Sequence, residues 1–117
     1  MPVRRVVPDI RTEAMEESRD FYVLLGLEEV MNQGWVITLA SPSQPTAQIT
    51  LLRHDETSAI VPDLSIEVDD VDAVYAAVAG RGAEIVHPLR DETWGVRRFF
   101  VVDPNGRVVN VMSHHQR

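Results

Sequence analysis

Hydrophobic and polar residues alternate along two runs in the second half of the chain. The runs cover residues 96–102 and 107–112, and the turn signal Asp-Pro-Asn-Gly at residues 103–106 separates them. In the second run, Val109 and Val111 share one face of the predicted strand. The opposite face carries Val108, Asn110 and Met112. The pattern predicts an antiparallel hairpin with one face under a helix and the other face lining a pocket.

The first half of the chain shows the order strand, helix and three strands. Residues 4–11 alternate weakly, and Pro8 predicts an edge strand or a strand paired on one side there, because proline cannot donate to a ladder. Thr12 is a candidate N-cap for a helix that Gly26 ends. The three strands that follow are predicted at residues 28–32, 35–40 and 47–53.

The second half repeats this order after a stretch with little periodicity. A strand at residues 62–69 leads to a helix that Asp69 or Asp70 caps and Gly82 ends. A short strand at residues 84–87 and a loop at residues 88–95 precede the hairpin. We therefore predict one domain over residues 1–117, with a first module at 1–53, a linker at 54–61 and a second module at 62–113.

Composition excludes several kinds of chemistry. The 117 residues suit one domain, Cys is absent, and all eleven basic residues are Arg, so disulfides, thiolates and Schiff-base lysines are excluded. The net charge is -7 without a basic stripe, so nucleic acid and anionic membranes are poor partners, whereas a cationic small molecule would be attracted. The first residues lack the apolar core of a signal peptide, and we expect a cytoplasmic protein.

Three segments together resemble the vicinal oxygen chelate superfamily of glyoxalases, extradiol dioxygenases and bleomycin-resistance proteins. They are SRDFYVLLGLEEV at 18–30, IEVDDVDAVYAAVAGRGAEIV at 66–86 and WGVRRFFVVDPNGRVVNV at 94–111. The resemblance implies an α+β fold in which two βαβββ modules form a curved mixed sheet around a cavity, with the helices on the outer face. It also implies a homodimer, because four modules make two cavities in the family.

Enzymes of this family usually hold a divalent metal with His or Gln on the first strand of each module and Glu on the last. The first-strand positions fall here on Val7 and Asp63, and the last-strand Glu of the second module falls on Asn110. Its first-module equivalent falls near Gln48 or Thr50. Val7 has no ligand atom, and Asn110 offers an amide where a carboxylate is usual.

The four histidines do not replace the missing ligands. We expect His54 and His87 at the surface, and His114 and His115 in a solvated tail. No spacing of His and carboxylate residues supports a different zinc site. The sequence therefore predicts a site without metal and without another cofactor.

The cavity is expected on the sheet face opposite the helices. From the first strand it would receive Val7, Asp9 and Arg11. The predicted ligand-binding residues are Trp35, Thr50, Asp63, Ser65, Glu67, Trp94, Arg97, Asn110 and Met112. The two tryptophans are expected either to stack on a flat ligand or to pack at the rim.

Two classes of function compete for such a pocket, and a non-catalytic regulatory or accessory module is a third possibility. One is a binding protein that sequesters a small cationic or aromatic molecule, similar to the bleomycin-resistance branch. The other is an enzyme, either a metal enzyme with displaced ligands or a metal-independent isomerase or lyase. In the latter, Glu67 or Asp63 would be the general base and Arg97 would hold an anion. Alternatively, Glu67 only pairs across strands with Arg97 or Arg11.

Overall fold

A computed structural model describes residues 2–114, which form one mixed sheet of eight strands with two helices. Along the sheet the strands follow the order β2-β3-β4-β1-β5-β8-β7-β6. Each half of the chain contributes a βαβββ module, which confirms the predicted α+β fold. The elements are β1 (Val3–Arg11), α1 (Met15–Leu24), β2 (Glu28–Asn32), β3 (Val36–Ala40), β4 (Gln48–Leu52), β5 (Leu64–Val68), α2 (Val71–Gly80), β6 (Ile85–Asp91), β7 (Val96–Val102) and β8 (Val108–His114).

Strand β1 joins the two modules at the middle of the sheet. It pairs antiparallel with β5 from Val3 to Pro8 and in parallel with β4 from Asp9 to Arg11. Pro8 is paired with Leu64 of β5 and with no residue of β4. Its missing N–H therefore lies at the point where β1 stops pairing with β5 and begins to pair with β4. An edge strand is therefore wrong here, and one-sided pairing at Pro8 is confirmed.

Two hydrophobic clusters lie on the same side of the sheet, each beneath one helix. The cluster under α1 contains Met15 and the buried side chains Ile37, Leu39 and Leu51. The cluster under α2 contains Val71 with Val68, Phe99, Val109 and Val111. The alternation in β8 predicts this placement, because its valines at 109 and 111 share the helix-facing side. Neither helix in the described part of the chain is long and apolar enough to cross a membrane.

The starts of the two helices differ. At α2, the side chain of Asp70 accepts a hydrogen bond from the backbone N–H of Ala73 at 3.1 Å, as expected for an N-cap. At α1, the N-cap position is Ala14, which has no side chain able to cap. Thr12 lies two residues earlier and accepts from the N–H of Ala14 at 2.9 Å. Thr12 therefore shapes the turn before the helix instead of capping it.

The turn between β7 and β8 has the predicted position and chemistry. The N–H of Gly106 donates to the carbonyl of Asp103 at 3.1 Å, and Gly106 adopts a φ of 85°. The carboxylate of Asp103 also accepts from the N–H groups of Asn105 and Arg107. Glycine is suited to this left-handed position because it has no Cβ.

Two strands extend further than the sequence predicts, and each extension changes the expected position of a histidine. Strand β6 continues through Pro88 to Asp91, so His87 points inward and is buried, whereas we expected it at the surface. Strand β8 continues to His114, which pairs with Val96 and so is not part of a solvated tail. His115 lies outside the described residues. Residues 54–61 contain neither helix nor strand.

Candidate functional site

A cavity of about 210 Å³ opens on the sheet face opposite the helices. Side chains from seven of the eight strands line it, including Met31 of β2 and Val96 of β7, which lie near opposite ends of the strand order. Strands so far apart in the sheet can share one cavity only because the sheet curves around it. Both modules of one chain therefore build the same site.

Six of the nine predicted ligand-binding residues meet at this cavity. They come from both modules and from the turn between β6 and β7. They are Trp35, Thr50, Ser65, Trp94, Asn110 and Met112.

Asp63 and Arg97 lie outside the cavity, and their expected positions are corrected by the backbone geometry. Asp63 precedes β5, and its carboxylate accepts a hydrogen bond from the N–H of Val108 at 2.8 Å. It holds the start of β8 instead of facing a ligand. Arg97 points to the helix side of the sheet and pairs with Asp72 of α2 at 3.0 Å. A role for Arg97 in holding an anion inside the cavity has no geometric support.

Glu67 faces a second, smaller cavity of about 90 Å³, which Val7 also lines. Its carboxylate pairs with Arg5 at 2.5 Å and with His114 at 2.8 Å, and not with Arg97 or Arg11. Burial alone would raise the pKa of Glu67, but the hydrogen bonds from His114 and Arg5 outweigh it and lower the pKa. A carboxylate held in its charged form is poorly suited to act as a general base near neutral pH.

A chain of hydrogen bonds crosses the three central strands β1, β5 and β8 at the cavity wall. The hydroxyl of Ser65 donates to Oδ2 of Asp9 at 2.6 Å, and Nδ2 of Asn110 donates to the same hydroxyl oxygen at 3.0 Å. Oδ1 of Asn110 is buried and accepts no hydrogen bond from any described residue. An unpaired buried acceptor costs about 1–3 kcal/mol, so this wall can bind a hydrogen-bond donor.

Asp9 is the titratable group of this wall, and its pKa is strongly raised. Burial raises its pKa from 3.8 to about 7, against the lowering effect of the hydrogen bond from Ser65. The carboxylates of Asp55 and Asp63 add to the rise, and Arg5 opposes it. Asp9 can therefore gain or lose a proton near neutral pH while it faces the cavity.

Arg98 of β7 also lines the cavity and lies within a buried ionic cluster. Its guanidinium group donates to Asp55 at 2.7 and 3.0 Å, to Glu92 at 2.6 Å and to Thr57 at 2.9 Å. Three of these four residues are charged, and all three charges are buried. The cluster ties the segment 54–61 to β7, because Asp55 and Thr57 belong to that segment. Arg90 also pairs with Glu92 at 3.3 Å, so two guanidinium groups compensate the two carboxylates and the cluster leaves little field for a ligand.

His87 completes this cluster at 3.0 Å from Glu92. Burial, and then the positive charge of Arg98, lower the pKa of His87. Burial would raise the pKa of Glu92, but hydrogen bonds from Thr57 and Arg98 outweigh it and lower the pKa. At neutral pH the pair is therefore a neutral imidazole that donates to a carboxylate.

Aromatic rings stand at one side of the cavity. The rings of Trp35 and Trp94 meet edge to face, with centroids 6.3 Å apart. The ring of His54 stacks on Trp35, with centroids 5.7 Å apart. The guanidinium carbon of Arg98 lies 5.0 Å from the centroid of Trp94. Trp94 keeps 39% of its surface exposed, so a ligand in the cavity can cover it.

The residues at the family's metal positions do not fit a divalent cation. Val7 has no donor atom, Asp63 is engaged with the backbone of β8, and Asn110 supplies an amide. Within residues 2–114, no group of three or more His, Cys, Asp or Glu side chains could hold a metal ion. We therefore derive no chemical step through a metal at this site.

Sequence reasoning missed Asp55 and Arg98 as cavity residues and left Asp9 out of the ligand-binding set. Arg98 carried a signal, because it shares the inward face of β7 with the apolar residues Val96 and Phe100. A charged residue between two apolar neighbours on one face indicates a buried charge with a partner. Asp55 lies in a segment without periodicity, which gave no signal.

Comparison with known proteins identifies the family. A model of the Glyoxalase/Bleomycin resistance protein/Dioxygenase superfamily matches residues 4–111. The chain therefore belongs to this superfamily, which is the family that its sequence resembles. None of the curated proteins compared with the chain matches it.

Solved structures share the fold at low sequence identity. A superfamily member from Vibrio splendidus 12B01 has a TM-score of 0.71 and 19% identity, and the match covers 96% of this chain and 99% of that chain. A Legionella pneumophila protein described as an NAD-dependent benzaldehyde dehydrogenase has a TM-score of 0.75 and 16% identity, covering 94% and 99%. Methylmalonyl-CoA epimerase from Mycobacterium tuberculosis has a TM-score of 0.65 and 22% identity, covering 97% and 88%.

Proposed function

We propose that this protein binds a small organic molecule in the cavity between its two modules and does so without a metal ion. The observation that carries this proposal is the wall formed by Asp9, Ser65 and Asn110, which line the cavity and include one buried acceptor, Oδ1 of Asn110, without a donor. The donor set at the family's metal positions supports a site that works without a metal ion.

The dimensions of the cavity favour a compact ligand. Its volume of about 210 Å³ lies below the range of roughly 300–1,000 Å³ that is typical of sites for drug-sized molecules. Trp35 and Trp94 offer flat apolar surface, and Asp9 and Asn110 offer polar acceptors. This combination suits a molecule with a flat apolar part and one polar end.

A second candidate function is a metal-independent isomerase or lyase with Asp9 as the general base. The pKa of about 7 favours it, because a base works best when its pKa lies near the operating pH. Asp9 takes the place that the sequence analysis gave to Glu67, since the ion pairs of Glu67 keep its pKa low. Binding requires fewer features of the site than catalysis does, because it needs only the acceptors and rings that line the cavity.

A fragment screen by nuclear magnetic resonance tests the proposed function. Compounds of small size, both neutral and charged, would be added to ¹⁵N-labelled protein, and the indole N–H signals of Trp35 and Trp94 would be followed. We expect compounds that shift both signals and whose effect disappears in a chain with a blocked cavity, such as Thr50→Trp. A broad screen that shifts neither signal would contradict binding in this cavity.

Proton exchange separates the two candidate functions. Bound compounds with an acidic C–H would be incubated with the protein in deuterated water. A general base exchanges that hydrogen, and Asp9→Asn abolishes the exchange, whereas a binding protein leaves the compound unlabelled. Labelling that depends on Asp9 would favour the enzyme.

We also propose a homodimer, as the resemblance implies. The outer surface of α1 supports it, because Phe21, Leu24 and Leu25 are exposed apolar residues close together in the sequence. Each chain builds its own cavity from its two modules, so the dimer would not have to complete the site. Sedimentation velocity at micromolar concentration is expected to give a dimer, and a monomer would contradict the proposal.

A further inference from the structure

We infer that the polar end of the ligand is a cation that carries N–H donors, such as a primary ammonium or an amidinium group, held between Asp9 and Oδ1 of Asn110. The inference rests on the proposed function and names the chemical class of the ligand. It follows from the direction of the hydrogen bonds in the wall and from the pairing of every other charge around the cavity.

The hydrogen bonds in the wall have a fixed direction when Asp9 is ionised. A carboxylate can only accept, so the single O–H of Ser65 donates to Asp9. The oxygen of Ser65 then accepts from Asn110, which must present its NH₂ group. The amide of Asn110, a residue that lines the cavity, is thereby oriented, and its Oδ1 is a buried acceptor without a donor. A ligand that completes the wall must supply hydrogen atoms.

The charges of the other cavity residues are already compensated within the described chain. Arg98 is paired with Asp55 and Glu92, Glu92 is also paired with Arg90, and Arg5 is paired with Glu67. Asp9 forms no ion pair with any residue between 2 and 114; its hydrogen bond comes from a neutral hydroxyl. A partly buried carboxylate without a counter-ion is costly, and a bound cation lowers that cost.

A quaternary ammonium fits this wall less well than an ammonium with hydrogen atoms. It carries the charge but has no N–H to donate to Asn110, so Oδ1 would remain unpaired beneath it. An anion would meet one carboxylate and one amide oxygen, which repel it. A neutral alcohol could donate once but would leave the charge of Asp9 uncompensated.

Binding should depend on pH through Asp9, because only its ionised form attracts a cation. The other charged groups near Asp9 are Arg5 on the same strand, Asp55 in the linker and Asp63 before β5. Arg98 and His114 also line the cavity. A variant at Asp9 tests whether the pH dependence comes from this carboxylate.

Four one-ring probes test the head group, with the tryptophan indole signals as the readout. They are benzylamine, benzyltrimethylammonium, benzyl alcohol and benzoate. At pH 8 we expect benzylamine to bind about tenfold or more tightly than each of the others, which corresponds to one hydrogen bond to a charged group. Affinity for benzylamine should fall between pH 8 and pH 5 as Asp9 gains a proton.

Two variants with the same change of charge provide the control. Asp9→Asn is expected to weaken benzylamine about tenfold or more, to leave benzyl alcohol unchanged and to abolish the pH dependence. Asp63→Asn removes a carboxylate that lies near Asp9 but outside the cavity, and it keeps an acceptor for Val108. It should leave benzylamine binding unchanged.

The outcomes distinguish the inference from the proposed function. If benzyltrimethylammonium or benzyl alcohol binds as tightly as benzylamine, or if Asp9→Asn has no effect, the head group is wrong and the cavity remains a binding site. If neither the four probes nor the broader fragment screen shifts the indole signals, both the head group and the proposed function are wrong.

Discussion

The carboxylate of Asp55 and the guanidinium group of Arg98 form a two-pronged ion pair, with N···O distances of 2.7 and 3.0 Å, across 43 positions of the sequence. The pair is buried and joins the segment between the modules to the inner face of β7. Two parallel hydrogen bonds fix both the distance and the plane of the guanidinium group. The wall of the cavity on that side therefore depends on a contact between distant parts of the chain.

Replacing Arg98 with methionine should strongly destabilise the protein. It leaves Asp55 and Glu92 buried without their counter-ion, and breaking a buried pair in this way costs about 3–5 kcal/mol. We expect urea denaturation at pH 7.5 to show this loss in the free energy of unfolding. Arg97→Met is the matched control, because Arg97 pairs with Asp72 at the surface, and it should cost below about 1 kcal/mol. Equal losses in the two variants would contradict the assignment.

Replacing Asp9 with asparagine should stabilise the folded chain at and above neutral pH. Because its pKa is raised from 3.8 to about 7, the folded state keeps a proton between pH 4 and pH 7 that the unfolded state has released. The wild-type free energy of unfolding therefore falls as pH rises from 4 to 7.

The gain from Asp9→Asn is expected to be near zero at pH 4, to grow up to pH 7 and to stay constant above it. A shift of this size corresponds to at most about 4 kcal/mol. Thermal unfolding of both chains from pH 4 to pH 9 measures it. Parallel stability curves would mean that Asp9 titrates normally in the folded state.

Removing either tryptophan should weaken a bound aromatic ligand. If its ring covers the ligand, Trp94→Ala or Trp35→Ala loses about 1–3 kcal/mol of binding free energy, as is usual for aromatic anchors. Because Trp94 also contacts Arg98, the folded state of each variant is verified by circular dichroism. Fluorescence quenching of the remaining tryptophan by benzylamine gives the affinity. Unchanged affinity in folded variants would assign the rings to rim packing.

Titration with divalent metals should show no tight site. Val7 and Asn110 supply no charged ligand, and Asp63 is bound to the backbone of β8. We expect calorimetry with nickel, manganese, ferrous iron and zinc to detect no binding below micromolar dissociation constants, and elemental mass spectrometry to find less than stoichiometric metal. Near-stoichiometric metal in the purified protein would contradict the metal-free site and place the protein with the metal-dependent enzymes of the superfamily.

The sequence predicted the strands of the second module well where side chains alternate. Strand β7 has the predicted bounds, and the valines of β8 face α2 as expected. The end of β6 could not be predicted, because Pro88 suggested a loop. In the structure, irregular pairing with β7 accommodates the proline and carries the strand on to Asp91.

Only part of the site could be predicted, because the alternation of side chains describes a single strand and not its neighbours. Alternation along β5 and β8 placed Ser65 and Asn110 at the cavity, because it depends on one strand at a time. The ion-pair partner of a side chain depends on the strand order and on the path of the linker, and alternation contains no information about either. Arg5, and not Arg97, therefore pairs with Glu67, and Asp55 meets Arg98.

Strand β8 lies between β5 and β7, although it is made after both of them. Until it inserts, the growing chain exposes two sheet edges and lacks Asn110, so ligand binding cannot begin before synthesis has passed this strand. Its parallel pairing with β5 joins residues about 45 positions apart, as between Ser65 and Asn110, and such non-local pairing is slow. The insertion of β8 thus both completes the proposed binding wall and closes two sheet edges through which the nascent chain can aggregate.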